Sequence, residues 1–116
     1  MRIGVLSEKD CLDGMVAEDF GHAPYFLLVD PATLDYTVTA NEFASGSGAG
    51  FKVAEAIVGI GADHVVCGGI GSHGLEILQK GGIRVWYDMD DMTVEEAVNH
   101  IKDRISFEDS VKKQND

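Results

Sequence analysis

The candidate functional residues of this chain lie in one segment. It begins as an apolar, strand-like run, continues through a glycine-rich turn and ends with the apolar spacing of a helix. The segment is His64-Val65-Val66-Cys67-Gly68-Gly69-Ile70-Gly71-Ser72-His73-Gly74-Leu75-Glu76-Ile77-Leu78. A strand that ends in glycine and continues into a helix leaves backbone N–H groups unpaired at the positive end of the helix dipole. Such a junction binds anions readily. Cys67 and His73 add a thiol and an imidazole to it.

A second glycine-rich loop precedes another helix. The segment Ala44-Ser45-Gly46-Ser47-Gly48-Ala49-Gly50 ends at Phe51, where an apolar helical pattern begins. It lacks the Gly-Lys-Ser/Thr ending of a P-loop and does not support nucleoside triphosphate hydrolysis. Both helix starts can face the same edge of an α/β sheet and form one shared anion pocket. The residues predicted to cradle the anion are Gly46, Gly48, Gly50, Gly68, Gly69, Gly71 and Ser72.

Three side chains near these loops are candidate metal ligands, namely His22, His73 and Cys67. Imidazole and thiolate suit soft metals and iron–sulfur clusters. Cys67 ends an apolar strand, a position that is also typical of a buried core thiol. The chain has only one other cysteine, Cys11, so it lacks the four-cysteine set of a permanent cluster. A loosely held, transferable cluster needs only one or two protein ligands together with backbone N–H groups.

Two enzymatic interpretations fit less well. Gly69-Ile70-Gly71-Ser72-His73-Gly74 has the G-x-G-x-x-G form of a dinucleotide fingerprint, and Asp88 lies where a ribose-binding acid would fall. However, only one strand and one helix follow the motif's own helix, so the second half of a dinucleotide site has no room. Tight glycine packing explains the motif better. No nucleophile with a base is found, because Ser72 and His73 are neighbours whose side chains point apart.

Composition sets the class of protein. The 116 residues include 20 acidic and 9 basic residues, for a net charge of −11. Nucleic acids and anionic membranes need a basic footprint, so both are excluded as partners. No apolar run reaches the length of a membrane span, and the first residues lack the apolar core of a signal peptide. We therefore expect an acidic, single-domain cytoplasmic protein.

The elements that position the candidate residues follow from apolar periodicity and turn residues. Strands are predicted over residues 2–6, 25–30, 35–40, 64–67 and 83–87, and helices over 51–58, 72–80 and 94–105. A short turn joins the second and third strands into an antiparallel hairpin. Thr93 and Glu96 form a capping box for the last helix. The element order is β-β-β-α-β-α-β-α, in a mixed five-stranded sheet with helices on both faces.

Four blocks of sequence, taken in order, carry a family resemblance. The first is Phe20-Gly21-His22-Ala23-Pro24-Tyr25-Phe26, and the second is Gly48-Ala49-Gly50. The third is Gly68-Gly69-Ile70-Gly71 with its helix and Gly82-Ile83-Arg84-Val85, and the last is Thr93-Val94-Glu95-Glu96-Ala97-Val98. Together they resemble the dinitrogenase iron–molybdenum cofactor biosynthesis family over about residues 1–105. The predicted division is one domain over residues 1–105 and a polar tail over 106–116, which we expect to fray.

The resemblance implies a ribonuclease-H-like three-layer fold and a non-enzymatic protein that binds or carries an iron–sulfur or iron–molybdenum type cofactor. Its guest would be an anionic metal cluster of nitrogenase cofactor assembly, and cluster-assembly proteins would be its partners. The family often has His before Phe-Gly, where this chain has Asp19, so His22 and His73 are the imidazoles that remain in the motifs. Two alternatives stay open. One is a small enzyme or sensor that binds a phosphate-bearing metabolite or nucleotide in the same pocket, and the other is a pure interaction module.

Overall fold

A mixed five-stranded sheet forms the centre of the computed structural model, which describes residues 1–115 and the side chains of residues 1–113. The sheet order is β3-β2-β1-β4-β5. β2 is antiparallel to β1 and β3, whereas β4 is parallel to β1 and β5. The predicted mixed sheet and the β2–β3 hairpin are therefore confirmed. The strands are β1 (Ile3–Ser7), β2 (Tyr25–Val29), β3 (Tyr36–Ala40), β4 (His64–Val66) and β5 (Arg84–Trp86).

Helices cover both faces of the sheet. Helices α1 (Ala49–Val58) and α2 (Ser72–Lys80) lie on one face, and α3 (Val94–Asn115) lies on the other. The alternation of side chains along β1 separates the two cores. Leu6 packs in the cluster with α1 and α2, and Val5 packs in the cluster with α3. The continuous apolar sequence of β1 is thus explained by burial on both sides.

The observed elements differ from the predicted ones mainly at their ends. β4 ends at Val66, one residue early, and β5 covers only residues 84–86. Helix α1 begins two residues before Phe51, because Gly48 adopts the left-handed conformation (φ 71°) and turns the chain into the helix. Helix α2 has the predicted bounds.

Helix α3 begins with the predicted capping box. The N–H of Glu96 donates to the Thr93 hydroxyl (3.1 Å), and the N–H of Thr93 donates to the Glu96 carboxylate (3.0 Å). The helix continues to Asn115, so residues 106–115, which were predicted to lie in a polar tail after the helix, are helical; residue 116 lies outside the described residues. Arg84 donates to both carboxylate oxygens of Glu108 (2.7 and 3.0 Å) and ties this extension to β5. Within residues 1–115, no helix has both the length and the apolar character of a membrane-spanning segment.

The chain connections bring two helix starts to one edge. Strands β1, β4 and β5 are parallel, so their carboxyl ends share an edge of the sheet. Helix α1 leads into β4, and α2 leads from β4 to β5. Both helices therefore run antiparallel to these strands and begin at the carboxyl edge, where α/β proteins usually bind ligands.

We expect Thr93→Ala to lower the free energy of unfolding by about 1 kcal/mol, because it removes the hydroxyl that accepts the Glu96 N–H. Urea denaturation measures the change. Ser106→Ala is the matched control, since it removes an exposed hydroxyl from the middle of the same helix without breaking a hydrogen bond. Equal stabilities of the two variants would contradict a contribution of the capping box.

Candidate functional site

An open cleft of about 320 Å³ lies at the carboxyl edge of the sheet, between the starts of α1 and α2. The structure thus brings the two glycine-rich junctions together. Three segments form its wall: the loop before β2, the start of α1 and the start of α2. Their lining residues are Asp19, Phe20, Gly21, Gly48, Gly50, Phe51, Ile70, Gly71, Ser72, His73 and Gly74.

The first turns of α1 and α2 leave their N–H groups free. Neither helix has a side-chain cap, and neither has an acidic residue in its first turn. An N–H group at a helix start can bind an anion, and the helix dipole adds positive potential there. Two such ends meet at one cleft. In these two first turns, six N–H groups have no acceptor within residues 1–115. They belong to Ala49, Gly50 and Phe51 in α1 and to Ser72, His73 and Gly74 in α2.

The start of α3 lies at the same edge but is closed. The N–H groups of Val94 and Glu95 donate to the carbonyls of Gly14 (2.8 Å) and Leu12 (3.0 Å). Acidic residues occupy its first turn, and the capping box satisfies the N–H of Glu96. The first-turn N–H groups of α3 are therefore satisfied within the protein, whereas those of α1 and α2 are not.

A short backbone segment holds the cleft in shape. The N–H of Ala17 donates to a carbonyl of β1 (2.8 Å), so residues 17–20 extend the sheet beyond its strand ends. On the other side, the N–H groups of Gly68 and Gly69 donate to the carbonyls of Ala17 (2.9 Å) and Glu18 (2.6 Å). The segment thus joins β1 to the turn that leads into α2.

These hydrogen bonds correct the expectation that the N–H groups at the end of β4 are free for an anion. Those of Gly68 and Gly69 are already used, and a side chain at position 68 would collide with the carbonyls of residues 17 and 18. Gly46 lies outside the cleft wall, and its N–H donates to the Phe43 carbonyl (3.1 Å). The structure places Gly48, Gly50, Gly71 and Ser72 in the wall.

Gly21 brings the loop against the start of α1. A Cβ at this position would lie 2.6 Å from the backbone nitrogen of Gly50, so only glycine permits the approach. The Asn41 side chain holds the same loop, because its Nδ2 donates to the carbonyls of Gly21 (3.0 Å) and Ala23 (2.9 Å). The loop is therefore fixed on both sides.

The two candidate histidines occupy different places. His73 lies in the wall, in the first turn of α2. His22 stands beside the wall, with its Nδ1 3.2 Å from an oxygen of the Asp19 carboxylate. Burial alone would raise the pKa of the Asp19 carboxyl, but the contacts with His22 and with the Gly21 N–H outweigh it and hold that pKa below its ordinary value. Asp19 is therefore ionised at neutral pH.

Cys67 does not reach the cleft. Its side chain is fully buried in the apolar core between the sheet and helices α1 and α2. Burial raises the pKa of the thiol to about 12, and the Asp88 carboxylate shifts it in the same direction. A neutral, enclosed thiol is a poor metal ligand, because the thiolate is the form that binds metals. Cys67 is thus separated from the cleft by the core in which it packs.

The composition of the cleft wall was not predicted from the sequence. Residues 1–115 contain no group of three or more His, Cys, Asp or Glu side chains placed to hold a metal ion. No lysine or arginine lines the cleft in the described chain, and the apolar side chains of Phe20, Phe51 and Ile70 form part of its surface. Phe51 is 51% exposed, although the sequence places it in the apolar pattern of α1. That pattern alone does not distinguish Phe51 from a core residue.

Comparison with known proteins gives one family match. Residues 1–104 match the model of the family described as dinitrogenase iron-molybdenum cofactor. No protein with a curated description matches the chain.

Two solved structures resemble the chain along most of its length. The apo form of the orange protein from Desulfovibrio gigas is 36% identical, with a TM-score of 0.83, over 88% of this chain and 87% of that one. A candidate NifB protein of the DUF35 family from Thermotoga, solved by NMR, is 27% identical, with a TM-score of 0.73, over 88% of this chain and 87% of that one.

Gly21→Ala should lower the free energy of unfolding by about 1–3 kcal/mol, because the new methyl group overlaps the backbone of Gly50. Gly50→Ala is the matched control on the other side of this contact. A Cβ there meets no atom within 4 Å, and alanine favours the helix, so we expect it to be neutral or stabilising by up to about 1 kcal/mol. Denaturant titration of both variants measures the changes, and similar effects would show that the two backbones do not approach closely.

Proposed function

The chain belongs to the dinitrogenase iron–molybdenum cofactor family, and on this premise we propose that it is a non-enzymatic carrier of an iron–sulfur or iron–molybdenum type cluster. The guest is an anionic metal cluster that binds in the cleft between α1 and α2. The observation that carries the proposal is the pair of uncapped helix starts, whose wall residues Gly50, Phe51, Ser72, His73 and Gly74 have N–H groups without an acceptor in residues 1–115. These N–H groups would donate to the negatively charged surface of the cluster.

The overall acidity of the protein is compatible with a local anion site. The net charge is −11, but exposed charges farther away than the Debye length, about 8 Å in physiological salt, are largely screened. The N–H groups of the two helix starts lie in or next to the wall itself and act at contact distance. The two helix starts therefore supply positive potential at contact distance, beside the negative charge of Asp19 in the same wall.

The ligand set supports a guest that brings most of its own ligands. In the described chain His73 lines the cleft, His22 stands beside it, and the buried Cys67 is withdrawn from it. One or two imidazoles cannot satisfy a bare metal ion, which needs four or more ligands. A preassembled cluster, by contrast, needs only a few contacts at its periphery, and a few contacts also permit its release to another protein.

The alternative function, binding of a phosphate-bearing metabolite or nucleotide, finds less support. Phosphate sites normally add Arg or Lys side chains to the backbone donors. The described wall has neither. Its apolar surface of Phe20, Phe51 and Ile70 suits a weakly hydrated guest better.

Other parts of the proposal follow from family membership and the fold. The antiparallel β1–β2–β3 unit, the parallel strands β4 and β5 and the helices on both faces support a ribonuclease-H-like assignment. We place the protein in nitrogenase cofactor assembly in the cytoplasm, with cluster-assembly proteins as partners. Residues 1–105 form the domain that binds the cluster.

Anaerobic reconstitution with ferrous iron and sulfide should give a brown protein that retains iron after gel filtration. His22→Ala combined with His73→Ala should lose the visible absorption and the bound iron, because it removes both imidazole ligands. Absorption spectra and iron analysis measure the result. His100→Ala, an exposed histidine on α3, and Cys67→Ala are the controls and should remain brown.

A colourless wild-type protein whose melting temperature rises with a nucleotide would overturn the carrier proposal and support the phosphate alternative. A wild-type protein that responds to neither guest would support an interaction module. Retention of the cluster by the double variant would contradict histidine ligation.

Ser72→Asp should change stability and guest binding in opposite directions. A carboxylate in the first turn of α2 interacts favourably with the helix dipole, so the guest-free protein should gain about 0.3–1 kcal/mol of unfolding free energy. The same carboxylate competes with an anionic guest for the free N–H groups, so iron retention should fall. Ser72→Asn is the neutral control. Denaturation curves and reconstitution assays measure the two effects, and unchanged cluster binding would contradict anion recognition at α2.

A further inference from the structure

The Asp19 carboxylate engages two different partners with its two oxygens. Oδ1 accepts a hydrogen bond from the N–H of Gly21 at 2.9 Å. Oδ2 lies 3.2 Å from Nδ1 of His22. The backbone of Asp19 is fixed as well, because it forms a parallel bridge with Gly69 beyond the end of β4. The carboxylate therefore has little freedom to rotate away from the imidazole.

This arrangement dictates where the imidazole carries its proton. A neutral imidazole has one N–H and one nitrogen with a free lone pair. An aspartate carboxyl is ordinarily ionised at neutral pH, so this Asp19 oxygen carries negative charge. A lone pair on Nδ1 would face that oxygen at 3.2 Å and be repelled, whereas a proton on Nδ1 would be attracted. The contact thus favours the tautomer that is protonated on Nδ1.

The other ring nitrogen is then the one that can bind a metal. Nε2 of His22 has no hydrogen-bond partner within the described part of the chain, and the side chain is 56% exposed. A carboxylate that holds the distal nitrogen of a metal-binding imidazole fixes its tautomer and its orientation. Asp19 and His22 have this relation.

We infer that Asp19 is a positioning residue that keeps His22 protonated on Nδ1 and so presents Nε2 to a metal of the guest. This inference rests on the proposed function for the identity of the guest, although the tautomer itself is a property of the free protein. Asp19 is not a ligand in its own right, because both of its oxygens are already engaged and a carboxylate is a hard donor.

Asp19→Asn is a sharp test, because the two side chains have the same shape. The amide oxygen replaces Oδ1 and still accepts the Gly21 N–H, so the amide NH₂ group faces Nδ1 of His22. An NH₂ donor at that point requires a lone pair on Nδ1 and moves the proton to Nε2. The variant should therefore keep its fold and invert the tautomer.

Nitrogen-15 NMR of the histidine side chains reads the tautomer directly in the full-length, guest-free protein, at a pH where the rings are neutral. We expect His22 to be protonated on Nδ1 in the wild type and on Nε2 in Asp19→Asn. His100, which forms no ion pair within the described residues, serves as an internal reference and should be the same in both. Loading with ferrous iron and sulfide should then perturb Nε2 of His22 in the wild type, and Asp19→Asn should retain iron at least about tenfold more weakly.

The outcomes separate this inference from the proposed function. Protonation of wild-type His22 on Nε2, or the same tautomer in both proteins, overturns the positioning role whatever the chain binds. If the wild type takes up the cluster and Asp19→Asn retains iron equally well, the positioning role is overturned as well. If His22 has the expected tautomers but the wild type takes up no cluster, the proposed carrier function fails while the effect of Asp19 on the imidazole stands.

Discussion

The cleft depends on one set of backbone contacts, in which residues 17–20 lie between the end of β1 and the turn after β4. Ala17 bonds to both sides, since its N–H donates to β1 and its carbonyl accepts from Gly68. Position 68 has no room for a side chain, because the carbonyls of residues 17 and 18 occupy that space. These backbone hydrogen bonds fix the loop against β1 and against the turn that leads into α2.

The three helices that begin at the carboxyl edge of the sheet differ in how their first N–H groups are satisfied. At α3 the chain supplies carbonyls, a capping box and acidic residues, so the helix dipole and the N–H groups are satisfied internally. At α1 and α2 it supplies glycines and no acidic residue. Leaving two helix starts uncapped sacrifices stability, since a good cap contributes about 1 kcal/mol. The open N–H groups are thus a feature that folding alone does not explain.

The positions of the thiol, imidazole and carboxylate groups are compatible with weak, reversible binding of a ligand. The one cysteine close to the glycine turn is enclosed in the core, where burial keeps its thiol protonated. The imidazoles are at the accessible surface, and an ionised carboxylate orients one of them.

The sequence by itself determined the sheet, its hairpin and the three helices, because apolar periodicity, glycine and proline turns and the Thr93 capping box are local signals. It also indicated both glycine-rich helix starts. Which N–H groups remain free was decided only by tertiary contacts: Gly68 and Gly69 donate to a loop about fifty residues earlier in the chain, whereas those of Ser72 and His73 have no acceptor in the described chain. The roles of Cys67 and Asp19 were decided in the same way. The burial of Cys67 arises from the packing of segments that are distant in the chain, and a sequence pattern cannot report it. Asp19 and His22 are only three residues apart, but their contact depends on a loop conformation that is held by the Asp19–Gly69 bridge and by the close approach of Gly21 to Gly50.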